Sequence, residues 1–305
     1  MATRAQGKSG TDEAGLIQVG AHVSSSGGIF SAIERAQGIE AEAVQIFAAP
    51  PQTWRATNHT AEAMAKFREA HTTSGIGQVW IHNIYLANLA TETPEQLEKS
   101  IGSVVNALTV ADGIGARGVV LHTGSHKGLG LAHVLDQVSA ALAQILESTP
   151  GSATLALETM AGQGGAIGKE FEDLGALLAK VNSPRLQTCL DTCHTFAAGY
   201  ELRTPEGVEA TMRAYDDAIG LEHLAVIHAN DSKAGLGSHL DRHENIGDGE
   251  IGADGFRAML AHRAFQGRAF LLEVPGLPTD AHPKGDGPDL ENVTRLKTLR
   301  DEAHS

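Results

Sequence analysis

The feature that most constrains this chain is a repeated unit, a short apolar run that stops on a side chain able to bind or polarise something. Ile17 to Ala21 stops at His22, Gln78 to Ile81 at His82, and Gly118 to Leu121 at His122. Thr154 to Leu157 stops at Glu158, Gln187 to Leu190 at Asp191, Leu224 to Ile227 at His228, and Ala269 to Leu272 at Glu273. Ala43 to Phe47 is an eighth run without such an end. Runs this short read as buried strands, and their spacing of about 25 to 45 residues leaves room for a crossover helix and two loops.

Helical patterns fill the gaps. Ile101, Val104, Val105 and Leu108 lie on one face of a helix over residues 100–111, and the pattern recurs over 131–146 and 171–181. Thr204 before Pro205 reads as an N-cap followed by proline at the first helical position, and residues 288–302 read as a closing helix. Strand and helix alternating eight times predict a parallel sheet closed on itself, a (β/α)8 TIM barrel. An open doubly wound sheet is the alternative, but it would not aim seven strand ends at one place. Residues 16–305 are expected to form one barrel domain. Residues 1–15, polar and small with no apolar segment, are expected to be a disordered extension rather than a signal peptide.

No apolar run approaches the ~18 to 20 residues of a membrane span. The two cysteines, Cys189 and Cys193, are too sparse for a disulfide framework and read as structural thiols of a cytoplasmic protein. A formal charge of -14 opposes nonspecific attraction to a polyanion, and 4% aromatic residues leave few platforms for exposed bases.

In such a barrel the functional groups lie at the C-terminal strand ends, which gathers His22, His82, His122, Glu158, Asp191, His228 and Glu273 in one mouth. His194 lies three residues past Asp191, and Asp241 and His243, two apart, face the same way in extended backbone. A single strand-end histidine is ordinarily a hydrogen-bonded structural residue; ten such groups converging are not explained that way. Carboxylates crowded together repel unless a cation neutralises them, so a metal site is expected. Even with His22 set aside, five imidazoles and four carboxylates exceed one four-coordinate ion, which points to two or three. Neighbouring zinc ions supply a nucleophile from water at neutral pH and stabilise both oxygens of a phosphoryl transfer. The chain has no P-loop or dinucleotide fingerprint, and the glycine-rich Gly162 to Gly165 is of weak specificity.

The residues also resemble the endonuclease IV family of zinc-dependent apurinic/apyrimidinic endonucleases. The matching motifs begin with Gly20-Ala21-His22-Val23-Ser24, His82 with Tyr85-Leu86, and His122-Thr123-Gly124-Ser125-His126. They continue with Glu158-Thr159-Met160-Ala161-Gly162-Gln163-Gly164, and with the stretch from Leu190 to Tyr200 that carries Asp191 and His194. His228-Ala229-Asn230-Asp231-Ser232-Lys233 and Asp241-Arg242-His243 complete a match running from about Ile17 to Glu273.

The resemblance implies three zinc ions, with one site open to manganese. Carried over by motif, His82, His122 and Glu158 hold the first, and Glu158, Asp191, His228 and Glu273 the second. His194, Asp241 and His243 hold the third. It further implies catalytic roles for Glu158 and Glu273, attack by hydroxide on the phosphate 5′ to a baseless sugar, and double-stranded DNA with abasic sites as the partner of a monomer. Gln52, Tyr85, Leu86, Lys233 and Arg242 are the expected DNA contacts.

The departures flank the metal residues. Ala48-Ala49-Pro50-Pro51-Gln52-Thr53-Trp54 has Gln52 where the family places a cation, Thr123 replaces a proline, Met160 an asparagine and His239 an arginine. Three zinc ions would bring the formal charge of -14 to -8. The cations Arg55, Lys127, Lys169, Arg203, Lys233 and Arg242 lie in the same loops, with Lys169 and Arg203 read as ordinary surface charge. The closest rival is a single-metal sugar isomerase or epimerase of the xylose isomerase-like barrels, which needs only Glu158, Asp191, His228 and Glu273.

Overall fold

A computed structural model describes residues 15–305. The strands are β1 (Gln18–His22), β2 (Ala43–Phe47), β3 (Val79–His82), β4 (Gly118–Leu121), β5 (Thr154–Glu158), β6 (Leu186–Asp191), β7 (Leu224–His228), β8 (Asp231–Ser232), β9 (His243–Glu244) and β10 (Ala269–Leu272). The helices are α1 (Ser31–Gly38), α2 (Ala61–Ser74), α3 (Pro94–Ile114), α4 (Leu131–Ser148), α5 (Phe171–Val181), α6 (Thr192–Ala198), α7 (Pro205–Ala218), α8 (Gly252–Ala261) and α9 (Leu290–Ala303). Eight strands close in the order β1-β10-β7-β6-β5-β4-β3-β2, every pair parallel, as the alternation predicts. β8 and β9 form a separate antiparallel hairpin between β7 and β10.

The barrel lumen is plugged by Ala43, Trp80, Val120, Ala156, Cys189, Val226, Ala269 and Leu271. Side chains two apart on a strand share a face. The next lumen-facing positions toward the C-terminal ends are therefore Gln45, His82, His122, Glu158, Asp191, His228 and Glu273. The apolar plug thus sets the register that delivers the polar layer above it. Helix-facing residues such as Ile81, Val119, Leu157, Leu190, Ile227 and Leu272 belong to the main core between sheet and helices. Gly20 permits the close approach of β1 and β2, since a Cβ there would collide with the Ala43 carbonyl oxygen.

Thr204 caps α7 as expected, its side chain accepting from the Gly207 N–H. The helix expected over 100–111 extends to Pro94 and Ile114, because Pro94 opens it at the first helical position and Gly115, at φ 75°, closes it. The closing helix begins at Leu290 rather than 288, because the Asp289 side chain caps it through the Asn292 N–H. The expected N-terminal extension lies outside the described residues save for Gly15, whose carbonyl accepts from the Gly267 N–H. Among the described residues, no helix is long and apolar enough to cross a membrane.

Candidate metal centre

Glu158, at the end of β5 and wholly buried, is the hub. One carboxylate oxygen lies 3.0 Å from His122 Nε2 and 3.4 Å from His82 Nε2. The other lies 3.0 Å from His228 Nδ1 and 3.3 Å from His194 Nδ1. His228 Nδ1 is also 3.4 Å from Glu273. Asp241 stands between two more imidazoles, 3.2 Å from His194 Nε2 and 3.3 Å from His243 Nε2.

Candidate ligand atoms converge in several overlapping groups: His82, Glu158, His228 and Glu273; His194, Asp241 and His243; and Glu158, Asp191 and His194. The second is the expected third set unchanged. The expected first and second sets are not recovered as drawn: His82 and Glu158 group with His228 and Glu273, Asp191 falls in other groups, and His122 joins none of them although its Nε2 lies 3.0 Å from Glu158. Cys193, expected to be structural, also lies within ligand distance of Asp191 and His243. Its thiol donates weakly to the Arg242 carbonyl, and burial pushes its pKa up to about 12.

The hydrogen bonds fix what each imidazole offers. A carbonyl oxygen only accepts, so Nδ1 of His82 donates to Asn83 O at 2.6 Å, that of His194 to Thr159 O at 2.9 Å, and that of His243 to Glu273 O at 3.2 Å. In the neutral rings this leaves Nε2 as a bare lone pair. His82 Nε2, Glu158 Oε2, His194 Nε2 and His243 Nε2 are four of the six buried side-chain polar atoms without a hydrogen-bond partner among the described residues. Buried polar atoms are otherwise nearly always partnered. Lone pairs aimed at carboxylate oxygens repel unless a proton or a cation sits between them, so this donor set fits a bound metal.

Without a cation the groups polarise one another. Burial alone would lower His194 and raise Glu158, but the surrounding charges outweigh it. Asp191, Asp241 and Glu158 hold His194 well above the usual imidazole range. His228, His122 and His194 hold Glu158 well below the carboxylate range. The same opposition moves His243 up to about 9, chiefly through Asp241 and Asp191.

Two side chains that sequence reasoning left without a role complete the polar layer. Buried Asn230 donates to Asp191 Oδ2 at 2.7 Å and accepts from the Glu273 N–H at 2.8 Å. Buried Gln45 donates to Glu273 Oε1 at 2.7 Å and accepts from His228 Nε2 at 3.0 Å. The signal for Gln45 was there to read, a single amide inside an otherwise apolar strand run. Asp231, also buried, accepts backbone N–H groups of Ser232, Gly247, Gly249 and Ile251 and so shapes the loop leading to α8.

The rim is less concentrated. Tyr85 is 50% exposed and stands edge-on to His82 at 5.3 Å between ring centroids, while Leu86 is half-buried. Gln52 is exposed on a loop tied down where the Tyr85 N–H donates to Pro51 O and His59 Nε2 meets Ala48 O at 2.7 Å. Arg242 is exposed and donates only to the Asp241 carbonyl, whereas Lys233 is paired with Glu244 at 3.1 Å. Lys169 and Arg203 pair with Glu170 and Glu201, in keeping with ordinary surface charge. A cavity of about 780 Å³ opens beside the cluster, and of the nine ligand candidates Glu273 alone lines it, with His22, Phe47 and Tyr85. The replacement residue Thr123 is buried with its hydroxyl unpartnered, and nothing in the structure explains it.

The xylose isomerase-like TIM barrel family matches residues 33–295. A probable endonuclease 4 of Natronomonas pharaonis is 38% identical over 288 residues, covering 94% of this chain and all of that one. A probable endonuclease 4 of Methanosphaerula palustris is 40% identical over 264 residues, 85% of this chain and 92% of that one. The crystal structure of endonuclease IV from Thermus thermophilus superposes with a TM-score of 0.81 at 33% identity, over 93% of this chain and 99% of that one. By this extent of likeness in sequence and backbone, the chain belongs to the endonuclease IV family, within the xylose isomerase-like TIM barrels.

Proposed function

We propose that this chain is a DNA-repair endonuclease that hydrolyses the phosphodiester 5′ to an abasic site, leaving a 3′-hydroxyl and a 5′-deoxyribose phosphate. The observation that carries this reading is that Nε2 of His82, His194 and His243, buried and without a hydrogen-bond partner, face the carboxylates of Glu158 and Asp241. The names of the relatives, endonucleases throughout, support the same reaction class.

In this reading His82, His122 and Glu158 hold one zinc ion, Glu158, Asp191, His228 and Glu273 a second, and His194, Asp241 and His243 a third, one site being open to manganese. When bound, such ions lower the pKa of water to about 7 and stabilise the attacking and leaving oxygens of phosphoryl transfer. Glu158 and Glu273 are the carboxylates we assign to catalysis. Glu158 fixes negative charge at the centre of the cluster, and Glu273 presents it at the edge of the cavity. Asn83 O, Thr159 O and Glu273 O orient three imidazoles by accepting from them. In the same reading Tyr85 and Leu86 fill a gap in an unstacked duplex, and Gln52, Arg242 and Lys233 meet the DNA around it. The enzyme is taken to act as a monomer in the cytoplasm. A single-metal sugar isomerase would leave the His194, Asp241 and His243 cluster without a purpose.

The test is incision of a duplex oligonucleotide carrying one tetrahydrofuran residue. A cut on its 5′ side that is lost to a chelator and restored by zinc is expected. Binding without incision, or incision indifferent to the chelator, would overturn the reading.

A further inference from the structure

Every barrel strand sends a polar side chain to the cluster. Six of them, β3 to β7 and β10, carry proposed ligands at their ends, while β1 and β2 supply His22 and Gln45. Gln45 occupies an unusual place among the outer contacts. The rings of His82, His194 and His243 are held by main-chain carbonyls, which no substitution at their own position removes. The ring of His228, whose Nδ1 faces Glu158, is held at its other nitrogen, Nε2, by a side chain, that of Gln45.

The direction of the contact follows from chemistry alone. The Glu273 carboxylate accepts, so the Gln45 amide must turn its NH2 toward Glu273 Oε1, 2.7 Å away. Gln45 Oε1 then faces His228 Nε2 at 3.0 Å, and that nitrogen must carry the hydrogen. The lone pair of the neutral His228 ring is thereby fixed on Nδ1, the atom 3.0 Å from Glu158 and 3.4 Å from Glu273. The second amide hydrogen points to His22 Nδ1 at 3.1 Å, which ties β1 into the same network. Gln45 is fully buried and has no route to substrate through the rim.

We propose that Gln45 is a positioning residue for metal binding: it sets the tautomer of His228 and the orientation of Glu273 together, and so tunes the ion those two side chains share without touching it. The inference rests on the metal reading given above. Partners of this kind carry about 10- to 100-fold in metal affinity.

The test is zinc competition between the full-length, zinc-loaded protein and the chromophoric chelator 4-(2-pyridylazo)resorcinol, comparing wild type with Gln45→Leu. Gln45→Met, an unbranched apolar variant of similar length, serves if the leucine variant fails to fold. The expected result is that the ion held through His228 and Glu273 is released at about 10- to 100-fold lower chelator. The ion of the His194, Asp241 and His243 set should be released as in wild type. Placed in a His228→Asn background, the Gln45 substitution should add clearly less than its single-variant effect, since one of its three partners is gone. Unchanged release of all ions would overturn the proposal, and so would equal weakening of all three, which is what a merely structural role produces. If wild type binds three ions and either of these results is found, the nuclease reading stands and the role of Gln45 falls. If wild type holds fewer than two ions, both fall.

Discussion

Replacing Glu158 by glutamine probes the centre of the cluster without changing its volume. The carboxylate lies 3.0 to 3.4 Å from nitrogens of His122, His228, His194 and His82, and it is wholly buried. The amide keeps the shape and removes the charge, so no cavity contributes. Removing one partner from a buried charge cluster costs about 3 to 5 kcal/mol. At about 1.4 kcal/mol per tenfold, that weakens the two ions sharing Glu158 by roughly 10²- to 10⁴-fold. The assay is elemental analysis after dialysis against a limiting chelator, in parallel with incision of the tetrahydrofuran duplex. Glu158→Gln should keep the ion of the His194, Asp241 and His243 set, lose the other two, and fall below about 1% of wild-type incision. Full incision together with full metal content would refute the reasoning.

Two other perturbations follow from the same geometry. In metal-free protein Asp191 and Asp241 outweigh the opposing effect of burial and hold His194 and His243 above their ordinary value, His243 at about 9. A raised folded-state pKa contributes stability below the unfolded value of about 6.5 and loses it as pH climbs through the folded value. Melting temperatures of the chelated protein should therefore fall between about pH 6.5 and 9 while those of the zinc-loaded protein change little; parallel curves would contradict this. Gln52→Arg restores a cation to the exposed loop next to Tyr85. It should tighten binding to a damaged duplex several-fold, with a salt dependence steeper by about 0.9 in log-log slope, read by fluorescence anisotropy. Equal affinity at fixed salt would remove that loop from DNA recognition.

The strands and most of the centre were legible because two periodicities coincide. In a parallel barrel the lumen-facing residue that follows the apolar plug falls at the C-terminal strand end, where the run visibly stops on His82, Glu158 or His228. Asp241 and His243 were legible through their spacing, although the hairpin that carries them, two residues on each strand, is too short to show any pattern. What escaped was the layer that orients the ligands. Gln45 and Asn230 act through contacts to residues as distant in sequence as 228 and 43 positions. The carbonyls of Asn83, Thr159 and Glu273 belong to the backbone and leave no mark on composition. The rim was hard for a different reason. Lys233 reads as a phosphate contact by motif, yet a neighbouring strand brings Glu244 within 3.1 Å, and only coordinates reveal that pairing.

Elemental analysis of protein purified without added metal addresses the trinuclear centre most directly. Three zinc ions per chain, or two with manganese as the third, are expected. One divalent ion per chain would contradict the account and return the molecule to the single-metal barrels that share its fold.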